Sequence, residues 1–176
     1  METLAVAVCA MASFSLFADS AKSIPSCEIG VKENKSAIHI QRTMKALEDS
    51  TKENPSHVRV LFYGQSIVGQ KWHVHLMERL KKKYPTVVFD VENRAIGGYE
   101  SPRLIKTAES DLYPFYPDIL FFHVYGPIDK YEQIIKKTRE TTSAEIVLWS
   151  SHLRSSDDPK KLMEKMDQRS VQIREI

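Results

Sequence analysis

The chain has 176 residues, enough for one domain with a sizeable core, and its 42% apolar and 27% charged residues describe a soluble globular protein, not a disordered one. Twenty-five basic against 23 acidic residues leave a net charge of +2, too small to argue for a nucleic-acid partner; Lys81-Lys82-Lys83 reads as the solvated end of a helix. With only Cys9 and Cys27 available, zinc sites built on paired cysteines are excluded, and removal of a leader would leave Cys27 with nothing to pair with.

Residues 4–18, LAVAVCAMASFSLFA, carry no charge, and Asp19 follows them directly. This predicts an export signal over residues 1–18, with Ala18 as the small residue at the cleavage point, and a secreted or periplasmic protein with no stable membrane association beyond the leader. Residues 19–35 read as a polar linker, so the domain is expected over 36–176. Apolar positions 37, 38, 40, 44 and 47 predict a helix from Ser36 to about Thr51, ended by KENPS. HVRVLFY, beginning at His57, is a continuous apolar run of the kind found in strands buried on both faces. Val68, Trp72, Leu76 and Leu80 predict a helix over 67–83 that Pro85 breaks, and TVVFDV is a second strand.

NRAIGGYES is a loop. Ser101-Pro102 predicts a helix start with serine as N-cap and proline at the first helical position. DILFFHVYG is a third strand, Asp129 with Glu132 predicts a capping box for a helix through about Thr141, and AEIVLWSS is a fourth strand. Asp158-Pro159 starts a last helix that reaches about Gln172. Strands alternating with helices predict an α/β three-layer sandwich of flavodoxin-like type around a central parallel sheet. Such a sheet takes its ligands at the carboxyl ends of the strands, which singles out residues 64–66, 93–99, 125–129 and 150–153.

Ser66 is the leading candidate at those ends, and two readings of it stand side by side. It caps the helix that follows, or its hydroxyl is a nucleophile held at the sheet edge by a turn that Gly64 permits. GQSIVG is neither the G-x-S-x-G elbow of α/β-hydrolases nor a P-loop. Gly97-Gly98, after the second strand, could present backbone N–H groups to a substrate oxygen, as acyl transfer requires for its oxyanion.

VRVLFYGQSI, VENRAIGG and PDILFFHVYGPID together resemble the first three sequence blocks of the SGNH hydrolase (GDSL-type esterase) superfamily, in order and spacing over residues 57–153. Glutamine for aspartate in Gly64-Gln65-Ser66 is similar to the carbohydrate-esterase-like branch. The resemblance implies that Ser66 is the catalytic nucleophile, that the N–H groups of Ser66 and Gly98 form an oxyanion hole, and that Asn93 and Gly98 match the second block, with Ala95 in place of its middle glycine. In the third block Gly126 and Asp129 match, whereas Ile128 stands where the family has an asparagine that donates to the oxyanion; His123, Tyr125 or a shifted loop could substitute, and Asn93, Tyr125, Gly126 and His152 are candidate substrate or substitute positions. The family's general base and its carboxylate come from a distal D-x-x-H. No aspartate here has histidine three residues later, so the domain is expected to be C-terminally incomplete.

Of the six histidines, His39 and His57 read as surface residues, His73 and His75 point to different faces of one helix, and His123 reads as a core histidine. His152, just past the fourth strand, is a substitute base, a substrate contact or a loop residue without a role. The resemblance implies a serine ester hydrolase acting on a small-molecule or polysaccharide ester, in particular an acetylated carbohydrate, with no metal and no cofactor. The rival is a catalytically impaired domain of the same type that only binds glycan. A flavodoxin-like nucleotide binder is a weaker third reading, since no phosphate-cradling loop follows the first strand.

Overall fold

β1 (His57–Gly64) lies at the centre of the molecule because its side chains have core on both sides. Val58, Val60 and Phe62 point into one apolar cluster, Leu61 and Tyr63 into the other. The continuous apolar run is thus ordinary strand alternation with both faces covered. β3 (Ile119–His123) repeats the pattern: all five residues are buried, with Ile119 and Phe121 on one side and Leu120 and Phe122 on the other. β2 (Val88–Asn93) and β4 (Glu145–Leu148) flank them, giving a four-stranded, all-parallel sheet in the order β2-β1-β3-β4. The computed structural model describes residues 38–149 together with positions 168 and 171, both helical. The leader, the linker, His152 and the rest of the last predicted helix fall outside the described residues.

Parallel neighbours need crossover helices. α1 (Gln41–Glu48) and α2 (Trp72–Lys83) cover one face, burying Leu47 and Met77 with the valines of β1. α3 (Ser101–Asp111) and α4 (Ile128–Thr141) cover the other with Leu104, Ala108, Tyr131, Ile134 and Ile135. The predicted α/β three-layer architecture is therefore the observed one. The chain passes from β1 to β2 on one side and then returns to β3 on the other side of β1, so the strand order reverses between β1 and β3. Loops leaving a sheet at such a switch part to opposite faces and open a crevice at the carboxyl ends. The strands and helices belong to one unit, His39–Ile176. No described helix is long and apolar enough to cross a membrane.

Helix boundaries depart from the pattern-based expectation where tertiary partners intervene. α1 begins at Gln41, not at Ser36, and carries no local side-chain cap. Its first free N–H groups are instead satisfied from the far edge of the sheet: Arg42 and Thr43 N–H each donate to the Glu145 carboxylate at 2.8 Å. A carboxylate at a helix N-terminus is favoured by charge as well as by hydrogen bonding. Replacing Glu145 with alanine should cost about 1–2 kcal/mol, as loss of an N-cap does, read as a lower urea midpoint with an unchanged slope.

Candidate active site

At the end of β1 the backbone of Gly64 lies so close to β3 that a Cβ there would meet the His123 carbonyl oxygen at 2.0 Å; its φ of +147° is also one that side chains rarely adopt. The same carbonyl accepts the next N–H, that of Gln65, at 3.3 Å. The chain then closes one tight turn, in which Val68 and Gly69 N–H donate to the Gln65 carbonyl at 2.8 and 3.3 Å. Gln65 is buried inside this turn and Ser66 is exposed on its outside.

The helix predicted from residue 67 does not begin there. α2 starts at Trp72 with Lys71 as its N-cap, so Ser66 caps no helix. Two carbonyls that a continuous helix would use are taken by side chains: the Ile67 oxygen accepts the Trp72 indole N–H at 2.8 Å, and the Val68 oxygen accepts the Asn93 amide. Gly69 adds a weak helix former at the break. This removes the plain capping role for the Ser66 hydroxyl. The positive end of α2 lies with residues farther along the chain.

The loop after β2 is brought alongside by backbone bonds. Arg94 N–H donates to Phe62 O at 2.9 Å and Ile96 N–H to Gly64 O at 2.8 Å, continuing the sheet pairing one step beyond the strands. Gly97 follows, and a methyl group on it would lie 4.0 Å from the Ser66 Cβ. Gly98, at φ +74°, has open space around it, with no heavy atom within 4 Å of where a Cβ would be. Gly97 is thus the glycine shown in contact range of Ser66, and the adjacent pair GG could not reveal which one it would be. Among the described residues, the N–H groups of Ser66, Gly97 and Gly98 donate to no protein acceptor. An exposed hydroxyl therefore stands at the end of β1 with the Gly97 backbone in contact range.

The loop after β3 forms the third side. His123 is fully buried; its Nδ1–H donates to the Trp149 carbonyl at 2.9 Å and its ring stacks on Trp149 at 5.3 Å. Tyr125 is half-buried with its ring edge-on to His123, 5.0 Å away. Gly126, at φ +102°, lets the loop press on the start of α3, where a Cβ would lie 2.9 Å from Ser101 Oγ. Ser101 is fully buried and is not the N-cap expected of it. Glu100 holds that position, while Ser101 N–H donates to Tyr125 O at 2.8 Å and Ser101 Oγ–H to Pro127 O at 2.9 Å. A boundary one residue earlier than predicted turns a helix cap into a strut between the second and third loops.

The capping box is corrected in the same way. α4 begins at Ile128 after Pro127, Asp129 lies exposed within the first turn, and no side chain caps the helix. An acidic residue there still complements the positive helix end. Ile128 packs against the core on the α3–α4 face. The position that would supply an asparagine donor thus contributes to packing. On α2, His73 is half-buried against Phe62, 5.2 Å between ring centroids, while His75 is exposed beside Glu78. No group of three His, Cys, Asp or Glu side chains among the described residues could hold a metal ion. His152 lies outside the described residues.

A parallel α/β sandwich with an exposed serine at its switch point defines a class, and comparison with solved structures narrows it. An acetylxylan esterase from Geobacillus stearothermophilus matches with a TM-score of 0.57 at 17% identity over 67% of this chain and 70% of that one. A protein of Parabacteroides merdae described as a GDSL-like lipase matches with a TM-score of 0.56 at 19% identity, over 67% of this chain and 72% of the other. A two-domain esterase active on acetylated mannans, co-crystallised with mannopentaose, matches with a TM-score of 0.52 at 24% identity over 64% of this chain; the match spans only 33% of that longer protein. The described domain has the fold of the SGNH/GDSL-type esterases. No family model and no curated protein sequence matches the chain. Two catalytic mutants of the acetylxylan esterase replace an aspartate and a histidine three positions apart, a spacing that no Asp–His pair in the present sequence reproduces.

The Gly64 contact predicts a steep cost of substitution. Gly64→Ala combines left-handed backbone strain with a collision against backbone, and should lose about 2–5 kcal/mol of stability by denaturant unfolding.

Proposed function

We propose that this domain is a serine ester hydrolase that deacylates an O-acylated, in particular acetylated, carbohydrate through an acyl-enzyme on Ser66. One observation carries the reading: an exposed hydroxyl at the switch point with the Gly97 backbone in contact range, where the Ser66, Gly97 and Gly98 N–H groups have no acceptor among the described residues. In this reading Ser66 Oγ attacks the ester carbonyl carbon and gives up its proton to a base. The carbonyl oxygen takes on negative charge and is held by those amides, whose dipoles are already oriented by the two loops. The sugar alcohol then leaves with a proton, and water releases the carboxylic acid and restores the serine. The reaction as written calls for no cofactor.

The substrate class is taken from the structural neighbours, an acetylxylan esterase and an esterase active on acetylated mannans. The uncharged run over residues 4–18 fits export to where such polysaccharides lie. An unassisted serine is a poor nucleophile at neutral pH. In this reading His152, which follows the AEIVLWSS segment in sequence, is a candidate base. The second reading, a domain that binds glycan without hydrolysing it, is favoured by Ile128, which packs against the core. Loss of one oxyanion donor lowers kcat about 10²–10³-fold, so a slow enzyme is the expectation.

Hydrolysis of p-nitrophenyl acetate by the full chain and by Ser66→Ala tests the proposal: a slow rate that falls to background in the variant supports it, and equal rates reject it. Ile128→Asn should not restore the missing donor. It should lower stability by about 1–3 kcal/mol with no gain in rate, because the new amide enters apolar surroundings; a faster esterase would show that position 128 reaches the reacting centre.

A further inference from the structure

Asn93 is the last residue of β2, and its side chain works in two directions at once. Its Oδ1 accepts the N–H of Ala95 at 3.0 Å, within the loop that leads to Gly97 and Gly98. Its Nδ2 donates to the carbonyl of Val68 at 3.1 Å, in the turn that presents Ser66. The orientation of the amide follows from its partners, since a carbonyl can only accept and a backbone N–H can only donate. The His73 ring lies against the same Nδ2, 3.1 and 3.3 Å from its two nitrogens, while its Nδ1 also lies 2.7 Å from Gln70 O. The Val68 carbonyl is one that a continuous helix through residues 67–83 would have used, so this bond also keeps the Ser66 turn separate from α2.

We infer that Asn93 is a positioning residue that clamps the Ser66 turn to the glycine loop and so sets the distance between the hydroxyl and its amide donors; the catalytic consequence rests on the esterase reading of Ser66. No backbone bond joins the 65–69 turn directly to residues 97–98 among the described residues. The Ile96-to-Gly64 bond ties that loop to the strand end, upstream of the turn. Among the described residues, the two segments that carry the reacting groups are therefore linked side chain to backbone through the Asn93 amide. The chemistry needs a short planar group with an acceptor on one side and a donor on the other. Aspartate would keep the bond from Ala95 but set a carboxylate oxygen against the Val68 carbonyl. Glutamine would place both groups one methylene too far out, and alanine would offer neither.

The test compares the full chain with Asn93→Asp and Asn93→Ala by two readouts. The first is the backbone amide NMR signals of Ser66, Gly97 and Gly98, which need no activity. The second is the rate at which a fluorophosphonate labels Ser66. Both variants should shift those three amide signals and slow labelling roughly tenfold, the effect of one lost hydrogen bond in the upper part of its usual range. Asn93→Asp should nevertheless keep the Ala95 amide hydrogen-bonded and the fold intact. Full rescue by aspartate, with wild-type signals and labelling, would reduce the residue to a local turn former and overturn the clamp. So would unmoved Gly97 and Gly98 signals in both variants. If the wild-type chain takes no label, the nucleophile reading of Ser66 fails, and the amide signals alone decide the clamp.

Discussion

The approach of Gly64 to the His123 carbonyl is the contact on which the site depends. β1 and β3 pair in parallel up to this point, and Gly64 is the partner of His123 in that register. With no side chain at 64 the two strand ends can stay together while the chain turns away, and the next N–H uses the same carbonyl. Any side chain would force the strands apart or tip the turn, and Ser66 would move with it. The neighbouring loop shares the anchor, because the Gly64 carbonyl accepts Ile96 N–H. One residue without a Cβ therefore fixes two of the three loops at the sheet's carboxyl end.

The glycine amides, the Ser66 amide and the struts made by Asn93 and Ser101 are all neutral groups whose positions come from the sheet and the turns. Such donors cost no reorganisation when charge develops on a substrate oxygen, which is their advantage over a mobile cation. The third loop departs from this pattern. Ile128 joins the core against α3 and α4, and Ser101 ties the loop down through Tyr125 and Pro127. That loop contributes packing and rigidity.

The architecture was legible because parallel strands buried on both faces and amphipathic crossover helices leave opposite signatures. HVRVLFY and DILFFHVYG read as central strands, and each proved to feed two separate cores by simple alternation. Helix starts were much less legible. Ser66, Ser101 and Asp129 each carry a side chain suited to capping, and none of them caps. Ser66 stands on an isolated turn, Ser101 bonds across to Pro127, and Asp129 lies one turn-position inside a helix that begins at Ile128 after proline. A cap depends on which acceptor or donor is nearest in space, and at all three positions the competing partner is remote in sequence or the boundary lies a few residues away. The cap that α1 does possess, Glu145, lies about a hundred positions downstream of the N–H groups it satisfies.

Composition and patterning by themselves determined a parallel α/β sandwich, a serine at the end of its first strand and a glycine pair at the end of its second, because those features follow from local chain chemistry and the periods of burial. The tertiary structure decided which glycine approaches Ser66, that the Ser66 hydroxyl caps no helix, that Ile128 packs against the core, and that Asn93 ties its own loop to a carbonyl twenty-five residues earlier in sequence. Each of these is a contact between segments that meet only when the sheet assembles. Their geometry is set by strand register and close packing, to which no short stretch of sequence has access.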